Sequence, residues 1–153
     1  MNDVEEVHRY FGDRQVMARI PAGVCSTCDD TRKRIAAFIK LEKVWGISLW
    51  AAALKESEKI IGDCGLFPSQ GKGPEIEIAY RFACKYWGQG YASEAAQAAL
   101  DYGLKILKID RIIALTDPDH IASRRIMEKI GMKYYTNKEY YDREMVVYEI
   151  LNE

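Results

Sequence analysis

The stretch Trp87-Gly88-Gln89-Gly90-Tyr91-Ala92-Ser93-Glu94-Ala95-Ala96 decides how the rest of this chain is read. It follows Glu75-Ile76-Glu77-Ile78-Ala79-Tyr80-Arg81-Phe82, whose alternation of polar and apolar residues has the period of a half-buried strand. It opens a helix expected from about Ala92 to Lys105. Two glycines at a strand-to-helix turn leave backbone N–H groups uncovered by side chains, and the helix N-terminus adds partial positive charge at the same place. Together these features make a site for a phosphate group.

A chain of 153 residues suits one domain, expected to span residues 1–153, that buries roughly two-thirds of its unfolded surface. Hydrophobic residues make up 48% and charged residues 29%, and the formal net charge is -1, so no global basic field recruits nucleic acid or anionic lipid. The longest uncharged apolar run, Val44 to Leu54, is too short to span a membrane. Met1-Asn2-Asp3-Val4-Glu5-Glu6 lacks the basic-then-apolar order of a signal peptide, and a cytoplasmic location is the expectation. Cys25-Ser26-Thr27-Cys28 has C-x-x-C spacing, open to a zinc or redox reading, but no second ligand pair completes a metal site. Reduced loop and core thiols are the expected state of Cys25, Cys28, Cys64 and Cys84, with no metal bound.

Val4, Val7, Tyr10 and Phe11 have helical spacing within a segment from Asn2 to Met17 that breaks near Gly12-Asp13. Thr27 or Asp30 caps a second helix, with Ile35, Phe38, Ile39 and Leu41 on one apolar face. Val44 to Lys55 reads as a strand, and the polar turn Glu56-Ser57-Glu58-Lys59 leads to its hairpin partner from Ile60 to Phe67. Pro68 to Pro74 is a loop. In the glycine-turn helix, Ala92, Ala95, Ala96, Ala99, Gly103 and Ile106 share one face of small residues. Arg111 to Thr116 is a short strand, Asp117-Pro118-Asp119 starts a helix from Ile121 to Ile130, and Gly131 ends it. The tail from Met132 divides into two strands at Thr136-Asn137-Lys138 or at Asp142-Arg143. A crossover helix after Phe82 implies one parallel strand pair, and the hairpins imply antiparallel ones.

From Ile60 to Met132 the chain resembles the GNAT family of acyl-CoA-dependent N-acetyltransferases, in particular the branch that acetylates N-termini of ribosomal proteins. Ile61 to Leu66 is similar to the family's third strand and Glu75 to Tyr80 to its fourth. Tyr86 to Ala95 resembles the pyrophosphate motif, with Trp87 where other branches have Gln or Arg. Ala122-Ser123-Arg124-Arg125-Ile126-Met127-Glu128-Lys129-Ile130-Gly131-Met132 resembles the last helix and its exit.

The resemblance implies an α+β fold of GNAT type, layered α/β/α around a mixed, partly splayed sheet. It implies acetyl-CoA as cosubstrate and a primary amine as acceptor, either a small molecule or a protein N-terminus. A neutral amine attacks the thioester carbonyl, so a base must first relieve an ammonium of pKa about 10 of its proton. Glu75 and Glu77 point to one face because their spacing is two. By resemblance Glu77 is the candidate base; its alternative is a solvated strand face. Backbone N–H groups near Ala79 to Phe82 would hold the oxyanion. The pantetheine arm would pair with main chain from Phe82 to Cys84, and the pyrophosphate with the turn made by Trp87, Gly88, Gln89, Gly90, Tyr91, Ala92 and Ser93. Many members carry a tyrosine where this chain has Met127; Ser123 is instead the candidate acid or thiol-binding hydroxyl, or else a helix cap. His120 stands where the family usually has asparagine, near the cofactor. Tyr134, Tyr135, Tyr140 and Tyr141 are expected mainly to pack the tail.

Relatives in that branch begin with an edge strand of T-E-R-L-x-L-R type, which this chain does not show before its first helix. The expectation is an open or dimer-covered edge on the strand from Val44 to Lys55. The alternatives to an active acetyltransferase are a GNAT-fold module that binds CoA or acetyl-CoA without turnover, and a redox or zinc protein built on Cys25 and Cys28.

Overall fold

The computed structural model describes residues 3–153, so the expected helix start at Asn2 lies outside them. Two short helices come first, α1 (Val4–Phe11) and α2 (Arg14–Met17), joined at Gly12-Asp13, where the Asp13 carboxylate accepts from the Gln15 and Val16 amides. Helix α3 (Cys28–Trp45) begins at a capping box: the Thr27 hydroxyl accepts from the Asp30 amide while the Asp30 carboxylate accepts from the Thr27 amide. It runs past the point where the sequence pattern predicts a strand. Val44 and Trp45 belong to its last turn, and Gly46, at φ 70°, supplies the left-handed stop. Strand β1 is accordingly only Leu49–Ala53. Ile35 and Phe38 turn toward the core as expected, whereas Ile39 lies on the exposed side of the helix.

The hairpin partner is β2 (Ile60–Pro68), followed by β3 (Ile76–Phe82), α4 (Tyr91–Asp101), β4 (Arg111–Thr116), α5 (Ile121–Lys129), β5 (Lys133–Tyr140) and β6 (Arg143–Leu151). Helix α4 ends four residues before the expected Lys105 and continues as a wider π turn over Tyr102–Ile106, which leaves Ile106 exposed rather than on the inner face. The tail divides at Tyr141-Asp142, where both residues have positive φ (54° and 60°), the backbone of a tight hairpin turn.

The six strands form one sheet in the order β1-β2-β3-β4-β6-β5, antiparallel except for β3 and β4. That parallel pair joins only Ile76 to Ile112 and Glu77 to Ile113; beyond Glu77 the two strands separate. Among the described residues strand β1 pairs only with β2 and forms one edge of the sheet. On one face α4 and α5 pack a core of Leu66, Ile78, Leu100, Ile112, Met127 and Tyr148. On the other face α1 to α3 cover a core of Val7, Tyr10, Phe11, Met17 and Cys25.

The second layer is tied to the sheet by a buried charge. Arg81 on β3 donates from Nε to Asp63 on β2 at 2.9 Å, and the Tyr10 hydroxyl of α1 donates to the other Asp63 oxygen at 3.1 Å. The Arg81 guanidinium lies over the rings of Phe11 (4.8 Å) and Phe38 (5.7 Å), so cation–π attraction replaces part of its lost hydration. Removing one member of such a pair leaves the other charge buried alone, at a cost of about 3–5 kcal/mol. Arg81→Met is therefore expected to lower the thermal midpoint by roughly 10 °C, and Asp63→Leu added to it to recover most of the loss. A single variant as stable as the parent by calorimetry would contradict this role.

Candidate active site

The separation of β3 from β4 opens a cavity of about 730 Å³ that reaches from the glycine turn across the sheet to α2 and α3. At one end, Gly88 and Gly90 adopt φ of 72° and 89°, a left-handed geometry that side-chain-bearing residues enter only at a cost. A Cβ on either glycine would meet nothing within 4 Å, so conformation rather than crowding selects glycine here. No side chain caps α4, and its first hydrogen bond runs from the Glu94 amide to the Gly90 carbonyl (3.0 Å). The amides of Tyr91, Ala92 and Ser93 precede that bond, and these residues line the cavity. Arg125 and Lys129, one turn apart on α5, also line the cavity. A polyanion meets uncapped N–H groups and a helix dipole at the turn, with two cations in the same cavity. Trp87 closes the turn by donating from its indole to the Phe82 carbonyl at 2.7 Å.

Not every residue of the glycine segment faces this space. The Gln89 side chain turns back to the Lys85 carbonyl (2.8 Å), and the Cys84 thiol points to Asp13 (3.7 Å). Neither lines the cavity, whereas Phe82, Trp87, Gly88, Gly90, His120 and Ser123 do. Residues Cys84–Tyr86 form a short 3-10 turn, so extended backbone able to pair with a ligand ends at about Ala83.

Glu77 sits where β3 and β4 part, on the side of the sheet that faces α1 to α3. It is 6% exposed, so the solvated-strand-face alternative does not hold. Its Oε2 accepts from the Ser69 hydroxyl at 3.1 Å and from the Tyr141 hydroxyl at 3.0 Å. Burial raises the Glu77 carboxyl from 4.5 to about 7, against the pull of those two donors. Tyr141 is held by reciprocal bonds with Gln70: the Gln70 amide donates to the Tyr141 hydroxyl (3.2 Å) and the Tyr141 amide to Gln70 Oε1 (3.3 Å). Both residues have positive φ, 55° and 54°, a strained state that side chains other than glycine, Asn and Asp seldom take. Glu75 is half-buried and otherwise engaged, bridged to Arg111 (2.9 Å) and accepting from Tyr140 (2.8 Å), and its charge helps raise Glu77. Tyr141 is thus more than tail packing. A hairpin turn carrying an aromatic beside Asp is the one sequence signal that marks it.

Ser123 is the third residue of α5 and does not cap it; the expected cap residues Asp117 and Asp119 instead bind Arg19 of the segment after α2, at 3.3 and 2.7 Å. Ser123 Oγ lies 3.0 Å from the hydroxyl of Tyr80, which also donates to the Ser123 carbonyl at 3.1 Å. Burial pushes the Tyr80 phenol up to about 12. Tyr80 was not singled out by sequence reasoning, because alternation along β3 makes it look like one more core residue. His120 Nδ1 lies 3.2 Å from the Thr116 hydroxyl, and burial together with Arg19 lowers its pKa, which favours the neutral imidazole. Among the described residues no group of three His, Cys, Asp or Glu is placed to hold a metal ion. Cys25 is buried in the second core while Cys28 faces solvent, and all four cysteines are unpaired. No helix among the described residues is long and apolar enough to cross a membrane.

Residues 1–133 match the family described as "Acetyltransferase (GNAT) domain". The uncharacterized protein YkkB of Bacillus subtilis is 43% identical over 109 residues, 71% of this chain and 63% of that protein, so the match spans less than two thirds of that relative. The uncharacterized N-acetyltransferase YnaD of the same organism is 37% identical over 131 residues, 86% of this chain and 74% of that protein. A crystal structure of a GNAT-family acetyltransferase from Bacillus anthracis superimposes with a TM-score of 0.83 at 34% identity, covering 99% of this chain and 90% of that one. The sheet that splays after Glu77, the uncapped glycine turn and these matches converge: the chain belongs to the GNAT acetyltransferase family.

Proposed function

We infer that this domain transfers an acetyl group from acetyl-CoA to a primary amine by direct attack. The observation that carries the reading is Glu77: a buried carboxyl with a pKa raised to about 7, at the point where the sheet opens. Acetyl-CoA supplies the thioester. The amides of Gly88 to Ser93, with Arg125 and Lys129, take its pyrophosphate, and the β3 backbone from Ile78 to Ala83, no longer paired with β4, takes the pantetheine arm and the oxygen that becomes negative during attack.

An aliphatic ammonium of pKa about 10 gives its proton to a carboxylate of pKa about 7 at a cost of roughly 4 kcal/mol. Attack on the carbonyl makes the amine N–H far more acidic, so the transfer becomes favourable as the new bond forms and Glu77 is a competent general base. Ser69 and Tyr141 hold the carboxylate in place; each donates to the charged form and keeps its pKa from climbing further.

At the leaving group, a thiol of pKa about 8.5 is more acidic than the Tyr80 phenol, so full proton transfer from Tyr80 runs uphill. Tyr80 therefore serves as a hydrogen-bond donor to the departing sulfur by turning its single O–H from the Ser123 carbonyl, while the Ser123 hydroxyl donates to the phenol oxygen and orients it. His120, as a neutral imidazole held by Thr116, also lines the cavity.

Two outcomes test this. The pH profile of kcat/KM should rise with an apparent pKa near 7, and Glu77→Gln should abolish that limb and cut turnover about 10²- to 10⁴-fold. Tyr141→Phe removes a donor to the carboxylate, so the limb should move to higher pH; a move to lower pH would contradict the assignment. In calorimetry, CoA should bind the parent and Glu77→Gln alike, while Arg125→Ala with Lys129→Ala weakens it about 10-fold. Absence of CoA binding at tens of micromolar would overturn the acetyl-transfer reading.

A further inference from the structure

Apart from tyrosines, the ionisable side chains that line the cavity are His120, Arg125 and Lys129 on or next to α5, and Arg19, Arg34, Glu77 and Arg81 on β3, α3 and the segment after α2, which together mark the acceptor half. Two of these last four are neutralised by partners. Arg19 binds Asp117 and Asp119, and Arg81 binds Asp63. Arg34 forms no ion pair among the described residues, although its charge acts on the more distant Asp63 carboxylate. It donates from Nη1 to the Gly23 carbonyl (2.9 Å) and from Nη2 to the Ala22 carbonyl (3.1 Å), leaving its other N–H donors for a ligand. Glu77, likewise, is met only by hydroxyls. The charges of this half without an ion pair are therefore one carboxylate and one guanidinium.

A second observation points the same way. Arg34 and Arg81 both lie over the Phe11 ring, at 5.2 and 4.8 Å, and Arg81 Nη2 is buried without an acceptor among the described residues. Arg81 itself is 8% exposed and borders the cavity. The neighbourhood of Arg34 thus holds more N–H donors than acceptors. The surrounding wall is apolar, with Phe38, Leu41, Leu49, Phe67 and Met145. A polyamine or aminoglycoside, with several positive charges, would find only the base itself to receive them and the Arg34 guanidinium to repel them.

We propose that the acceptor is an amine that carries its own carboxylate on an apolar body, the class of the free amino acids, with the carboxylate held by Arg34 and the amine presented to Glu77. This rests on the acetyl-transfer reading and names its substrate class. The ammonium and carboxylate of such a molecule complement Glu77 and Arg34 in sign, and an arginine binds a carboxylate through paired, charge-assisted hydrogen bonds.

The experiment measures thiol release from acetyl-CoA with leucine, methionine, phenylalanine and 6-aminohexanoate, each beside a carboxylate-free counterpart: isoamylamine, 3-(methylthio)propylamine, phenethylamine and hexylamine. Leucinamide and spermidine complete the panel. At least one carboxylate compound should exceed its counterpart in kcat/KM by about 10- to 100-fold. Arg34→Gln should erase that ratio, and Arg34→Lys should restore part of it. Because the ratio is taken within each variant, a folding defect does not imitate the result. Equal or better turnover of spermidine, leucinamide or the simple amines overturns the proposal, as does a ratio unchanged in Arg34→Gln. Calorimetry of the same compounds against the CoA-saturated protein gives a readout independent of turnover, and no carboxylate-dependent binding there also overturns it. Failure of CoA itself to bind is distinct, because it removes the acetyl-transfer reading on which this one rests.

Discussion

Two residue pairs hold β3 to β4, Ile76 with Ile112 and Glu77 with Ile113, and the separation of the strands beyond them is the constraint on which the site depends. A parallel ladder that closed further would pair the β3 backbone from Ile78 onward and leave no groups for a ligand. It would also fill the space that now joins the glycine turn to α2 and α3. The parting of the strands places Glu77 at the vertex, buried from the side yet bordering the opening, which is why its carboxyl is raised rather than solvated. The α4–α5 layer keeps the sheet intact below, and the Asp63–Arg81–Tyr10 contact fixes the α1–α3 layer above. Between them the cavity has one end suited to phosphate and another that is apolar with one charge of each sign.

Much of this was legible in the residues. Alternation from Glu75 to Phe82 marked β3, and the glycines at 88 and 90 marked a turn whose conformation only glycine adopts readily. The element order, the single parallel pair and the stop at Gly131 followed from the same local rules. The strand expected from Val44 was misread because an apolar run of that length satisfies helix and strand alike; the difference lies in Gly46, whose left-handed turn lets α3 run to Trp45. The π turn after Asp101 has no pattern that marks it in advance.

What was not legible is the part of the site assembled across the chain. Tyr80 and Ser123, 43 residues apart, meet because β3 faces α5; neither residue carries that information alone. Gln70 and Tyr141 lie in two loops 71 residues apart and brace each other beside the base, and each looks like ordinary loop or tail chemistry in isolation. Arg34 reads as one of many charges on a helix. It becomes distinctive only when the partners of Arg19 and Arg81 are known, since those pairings leave it without an ion pair among the described residues. Motifs identify the nucleotide end of such folds because the backbone there has local requirements. The acceptor end is defined by which charges are left over, a property of the folded chain.

The claim that the opened strand pair is the cosubstrate site is tested most directly by amide hydrogen exchange with and without CoA. The account predicts slowed exchange in two separate segments, the β3 backbone over residues 78–83 and the turn over residues 88–93, with α1 and the β5 edge unchanged. Binding of CoA that protects the turn but leaves residues 78–83 exchanging as in the free protein would contradict it.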